Sequence, residues 1–94
     1  MVGGTKDKLY RSLDGQYFRF TLVDEGACVG IYCTGHPDLR GRARDPEKLH
    51  LYARNNQLCF HPGKEPRSEA EAKLRAREWA EYFCRYVKTG KVEG

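Results

Sequence analysis

The stretch from Ser68 to Gly90 constrains this chain more than any other part of it. Ser68 followed three residues later by Glu71 is a capping box, in which a hydroxyl and a carboxylate each satisfy a backbone N–H that the first helical turn leaves open. Ala72, Ala76, Trp79, Ala80, Phe83, Tyr86 and Val87 then recur at helical spacing and draw one apolar stripe. Glu69–Lys73, Glu71–Arg75 and Glu81–Arg85 are spaced as i,i+4 ion pairs on the other side, and Gly90 supplies a left-handed stop. A long helix with one apolar side has to lay that side on a second layer. In a chain of 94 residues, 39% of them hydrophobic, there is material for one sheet under one helix and none for a deep, walled cavity.

The second layer is legible upstream. Residues 16–23 place Phe18, Phe20 and Leu22 on one face of a period-2 strand and Tyr17, Arg19 and Thr21 on the other. Residues 27–34, with Val29, Ile31 and Tyr32, read as the next strand, and residues 8–13 as a short preceding one. Asp14-Gly15 and Asp24-Glu25-Gly26 are turn signals between them. Residues 39–48 read as an Arg-rich loop too polar for the core. Residues 49–53 and 57–60 read as short extended runs joined by Arg54-Asn55-Asn56, and His61-Pro62-Gly63 opens a breaker-rich approach to the helix. The expected fold is therefore α+β: a small antiparallel β-meander packed against one long C-terminal α-helix. A single domain is expected over residues 8–94, behind a Gly-rich, disordered segment at 1–7. No apolar run approaches the roughly 18 residues a membrane span needs, and no secretory signal is apparent, so a cytoplasmic protein with no membrane partner is expected.

Four cysteines without an exported context are expected to be free thiols. Cys28, Cys33 and His36, or Cys59 and His61, invite a zinc reading, but there is no paired Cys-x2-Cys knuckle. Cys28 and Cys33 also lie five apart along a strand, on opposite faces. No metal and no other cofactor is expected. No Gly-rich phosphate loop or Gly-x-Ser-x-Gly is present. The formal net charge of +4 has a local source in Arg40, Arg42, Arg44, Lys48 and Arg54, with Tyr52 among them. Arginines beside an aromatic suit phosphate pairing and base stacking, whereas Asp45 and Glu47 suit an ordinary solvated loop. Cys59 is the sharper chemical candidate. It closes a strand beside a Pro/Gly loop, with His50 nine residues before it and His61 two after, either of which would raise the thiolate fraction if close. The competing reading is a small apolar core residue, as Cys84 on the helix is expected to be.

The order of short motifs adds a resemblance. Pro37-Asp38-Leu39, His50-Leu51-Tyr52, Leu58-Cys59-Phe60, a helix with Glu78-Trp79-Ala80 and Tyr86, and a closing Thr89-Gly90-Lys91 follow one another as they do in bacterial proteins of the ubiquitin-conjugating-enzyme-like (UBC-like) superfamily. The chain resembles that superfamily over residues 17–94, without its amino-terminal helix. The resemblance implies that Cys59 accepts an acyl group as a thioester, that His50 is the histidine preceding it, and that Asn55 or Asn56 stands in for the family's oxyanion-donating asparagine. The resemblance also accommodates a degenerate relative kept only for protein binding. A different class of function is a non-catalytic binding module, such as a phage- or defence-associated inhibitor, that turns the 40–54 loop to an acidic protein surface or nucleic acid. A protein partner is expected first and nucleic acid second, on a monomer or on a dimer made by sheet extension at the edge strand near residues 8–13.

Overall fold

A computed structural model describes residues 5–44, 46–52, 55–60 and 63–92. Three antiparallel strands, β1 (Thr5–Arg11), β2 (Tyr17–Asp24) and β3 (Val29–Gly35), form a sheet in the order β1-β2-β3. A single helical turn, α1 (Pro46–Leu49), precedes the long helix α2 (Glu69–Thr89), which crosses one face of the sheet. The chain thus adopts the α+β meander-and-helix architecture. Phe18, Phe20 and Leu22 of β2, with Ile31 and Cys33 of β3, are buried beneath the helix, as the period-2 pattern requires. The aromatic rings interlock there. Phe18 meets Phe83 edge-on at 5.3 Å, and Trp79 lies 6.0 Å from Phe18, 5.9 Å from Phe20 and 5.4 Å from Phe83.

The helix ends are built almost as their residues suggest. The Ser68 hydroxyl accepts from the Glu71 N–H at 3.1 Å, and Gly90 adopts φ 71° and donates its N–H to the Tyr86 carbonyl at 2.7 Å. Glu71, however, reaches back to the Arg67 N–H at 2.9 Å, so Arg75 pairs with Glu78 at 2.7 Å instead. Glu81 likewise turns to the sheet, accepting from the Tyr10 hydroxyl at 2.5 Å and the Leu13 N–H at 3.0 Å. Only Glu69–Lys73, at 3.1 Å, appears among the described ion pairs as its spacing suggests.

Three boundaries depart from expectation. β1 begins at Thr5, so residues 5–7 of the segment expected to be disordered belong to the sheet. Thr5 and Lys6 pair with Val23 and Leu22, Asp7 accepts from the Thr21 hydroxyl at 2.7 Å, and Lys6 reaches Glu69 at 2.6 Å. Residues 1–4 lie outside the described residues. The 39–48 loop runs into α1, opened by a proline whose fixed φ suits a first helical position, and it contributes a buried Leu39 to the core. β3 starts at Val29 because Cys28 belongs to the turn, where its carbonyl accepts from the Glu25 N–H at 2.9 Å. Among the described residues no helix is long and apolar enough to cross a membrane.

Candidate functional site

Three aromatic tips from α2 hold the backbone at Ala43 and at the end of α1 in place. Trp79 Nε1–H donates to the Leu49 carbonyl at 2.8 Å, the Tyr82 hydroxyl donates to the Lys48 carbonyl, and the Tyr86 hydroxyl donates to the Ala43 carbonyl at 2.8 Å. Positions 79, 82 and 86 share one helix face, so a single side of α2 supplies both core rings and donors to backbone that lacks a regular ladder. The anchor delivers His50 at a left-handed φ of 60°, with its ring 5.2 Å from that of Tyr82. For a side chain other than glycine this is an uncommon backbone state, held by its surroundings.

From His50 the chain enters a small hairpin. Leu51 and Leu58 pair as an antiparallel bridge, and both are buried. The Tyr52 N–H donates to Gln57 O and the Cys59 N–H to His50 O, each at 2.8 Å, so His50 and Cys59 become backbone neighbours. The Asn55 Oδ1 accepts from the Gln57 N–H at 3.1 Å, and Asn56 turns the chain at φ 58°. The hairpin is stitched to β3 by Cys33 N–H to Asn56 O and Leu58 N–H to Ile31 O, both 2.8 Å. Of the run expected at 49–53, Leu49 instead ends α1, His50 is left-handed, and residue 53 lies outside the described residues. Leu51 and Tyr52 pair with the 57–60 run, which covers the β3 edge.

Cys59 is half-buried at the end of this hairpin. Burial pushes its thiol above the ordinary range, while a hydrogen bond with Tyr52 works in the opposite direction. The group that favours the thiolate is thus Tyr52, whereas the sequence directed attention to the histidines; His61 lies outside the described residues. Beside the hairpin is a depression of about 260 Å3, lined by Tyr52, Leu58, Phe60, Cys28 and Glu25. The Glu25 carboxylate accepts from the Tyr32 hydroxyl at 2.9 Å and from Gln57 Nε2 at 3.5 Å, and it lies over Gly30, where a Cβ would stand 2.5 Å from its Oε1. Neither Glu25 nor the three aromatic donors was singled out from the sequence as part of a site. Tyr82 and Tyr86 beside Trp79 were the available signal, since polar-tipped aromatics on a buried face need partners.

The basic loop is divided among different tasks. The Arg42 guanidinium donates to Val87 O at 3.1 Å and Lys88 O at 3.4 Å, at the negative end of the α2 dipole. Arg44 donates to Asn56 Oδ1 at 3.0 Å. Both asparagines are therefore anchored through their oxygens, and an oxyanion would have to be met by an Nδ2. Arg40 is exposed at φ 53°, Lys48 is exposed on α1, and Tyr52 is 39% exposed. Arg54 lies outside the described residues. Cys59, His50, Asn55, Asn56 and Tyr52 thus belong to one hairpin, which Arg44 meets at Asn56, while Arg40 and Arg42 are placed toward the C-terminal end of α2.

The remaining cysteines are free. Burial raises the Cys33 thiol to about 11, and Cys33 donates to Gly35 O at 3.4 Å; burial also raises Cys84. Among the described residues no three His, Cys, Asp or Glu side chains gather closely enough to hold a metal ion. Arg42→Ala should lower stability by about 1 kcal/mol, or roughly 4–8 °C in Tm, by removing the cation from the helix end. Arg40→Ala should stay within about 0.5 kcal/mol. Thermal unfolding followed by circular dichroism checks both, and equal effects would refute the separate tasks given to the two arginines.

Fold and hairpin together define a class: a small α+β domain that presents a half-buried thiol on a hairpin at the sheet edge. In comparisons with known proteins the chain matches no family model, no curated protein and no solved structure.

Proposed function

We propose that this chain carries an acyl group as a thioester on Cys59, in the manner of the ubiquitin-conjugating-type domains it resembles. The observation that carries this reading is the Cys59 hairpin itself. The residue that carries the thiol is held by the backbone bond to His50, its sulfur is hydrogen-bonded by Tyr52, and α2 braces the facing segment up to a left-handed His50. In the proposed reaction the Cys59 sulfur attacks the carbonyl carbon of an incoming acyl thioester. The tetrahedral intermediate expels the donor thiolate, which takes up the proton that Cys59 releases. An amine then attacks the new thioester, loses a proton, and returns Cys59 to its starting state. Positioning supplies most of the rate, with the Nδ2 of Asn55 or Asn56 as candidate donor to the oxyanion.

The test uses a short peptide bearing a C-terminal thioester as acyl donor and reads the adduct by intact-mass spectrometry. A hydroxylamine-labile adduct should form on Cys59 in the folded protein, disappear in Cys59→Ala, persist in Cys28→Ala, and spread over all four cysteines in denaturant. Because the thiol lies above its ordinary pKa, the thiolate fraction and the acylation rate should rise about tenfold between pH 7 and pH 8. Acylation of Cys28 as fast as Cys59 in the folded protein would remove the basis for this reading.

A further inference from the structure

We infer that two copies of this chain associate through β1, antiparallel and in a register centred on Leu9, to make one continuous six-stranded sheet. The inference is independent of the chemistry at Cys59. β2 covers one side of β1; along the other, the backbone N–H and C=O groups of Thr5–Arg11 have no strand partner among the described residues. The opposite edge of the sheet is closed by the hairpin at Asn56–Leu58 and by the Val29 N–H bond to Pro66 O at 2.8 Å, so β1 is the open one.

Open edges are commonly guarded by lysines held out into solvent. Here both lysines of β1 are drawn down to α2 instead, Lys6 to Glu69 at 2.6 Å and Lys8 to the same carboxylate at 3.8 Å. The outer face of β1 carries Asp7, Leu9 and Arg11, with Leu9 67% exposed. That combination is poor protection and a good template.

Charge selects the occupant and the register. A two-fold axis perpendicular to the sheet keeps each residue opposite one on the same face, so the axis must pass midway between the two copies of one β1 residue. Centred on Asp7, the pairing sets Asp7 against itself and Lys6 against Lys8 twice. A centre at Lys8 sets Lys8 against itself. At Tyr10 the pairing shortens and contains no opposite charges. Centred on Leu9, it sets Leu9 against Leu9, Asp7 against Arg11 twice and Lys8 against Tyr10 twice, with no like charges opposed. β1 is therefore complementary to itself in that register, and both α2 helices fall on the same side of the joint sheet.

Sedimentation velocity over a concentration series should show the 10.8 kDa chain moving toward twice that mass. Asp7→Arg should raise the dimer dissociation constant about tenfold, because two cross-strand attractions become repulsions, and Asp7→Arg with Arg11→Asp should restore it. Far-UV circular dichroism confirms that each variant is folded. Register is read by oxidation of Leu9→Cys in a Cys28→Ser, Cys59→Ser background, where facing positions lie within disulfide reach. A Lys8→Cys chain, whose twin positions are diagonal and too far apart, should link at least tenfold more slowly. A monomeric mass throughout the series, failure of the double charge exchange to restore association, or equal linking at positions 8 and 9 would each overturn the inference.

Discussion

Trp79→Ala should cost about 3–5 kcal/mol of stability, most of what a domain of this size has to lose. The residue is 6% exposed and touches the rings of Phe18, Phe20 and Phe83, so truncation opens a cavity where the sheet and helix meet. It also leaves the Leu49 carbonyl without the indole donor, in a segment that has no ladder to replace it. Trp79→Phe separates the two contributions. That variant keeps much of the ring and loses the N–H, and should cost about 1–3 kcal/mol, the desolvation penalty of an unsatisfied buried carbonyl. Urea unfolding followed at far-UV wavelengths measures both, since the only tryptophan is the one removed. The anchoring role predicts more than lost stability: iodoacetamide should label Cys59 faster in Trp79→Phe, because the strand facing it is no longer tied to α2. An unchanged labelling rate would show that Trp79 only packs.

Leu58→Ala is the second large effect, at about 2–5 kcal/mol. Leu58 is 3% exposed, faces Leu51 at 1%, and has its N–H bonded to Ile31, so it is the point where the hairpin is fastened to the core. Its neighbour in sequence is Cys59. The hairpin should open locally at a lower free energy than the sheet, and thiol labelling should report that opening before global unfolding does. Leu9→Ala, at an exposed site, should change the stability of a dilute sample by less than about 0.5 kcal/mol. If Leu58→Ala proved as mild as Leu9→Ala, the hairpin would not be the stable platform that the Cys59 chemistry requires.

The parts of the fold legible in the sequence are those specified by local signals. Ser68, Gly90 and the stripe between them bounded α2, and Phe18, Phe20 and Leu22 identified the inward face of β2. The parts that escaped depend on partners far along the chain. Arg42 looks like any loop cation until Val87, 45 residues on, supplies a helix carbonyl for it. Leu39 was hidden by its polar neighbours, although one leucine suffices to pin a loop. At the candidate site, two short runs about an Asn-Asn pair were enough to suggest the hairpin. They were not enough to place Tyr52 at the Cys59 sulfur or to show that Trp79, Tyr82 and Tyr86 brace the far side, because a backbone carbonyl as acceptor leaves no trace in residue type. The Glu71 bond to Arg67 and the Glu81 bonds to Tyr10 and Leu13 teach a related lesson: an i,i+4 spacing permits an ion pair, and a backbone donor or hydroxyl in reach can take the carboxylate first.

The bond from Tyr10 to Glu81 spans 71 residues of sequence, and it has a consequence for the protein as it is made. In synthesis the three strands precede α2, so Phe18, Phe20, Leu22 and Ile31 leave the ribosome before the helix that covers them. Until it arrives, those apolar side chains have no cover, and exposed apolar segments are prone to associate with one another. A rearranged gene that encodes α2 ahead of β1 would let the lid await the sheet, and would be expected to yield more soluble protein from the same folded structure.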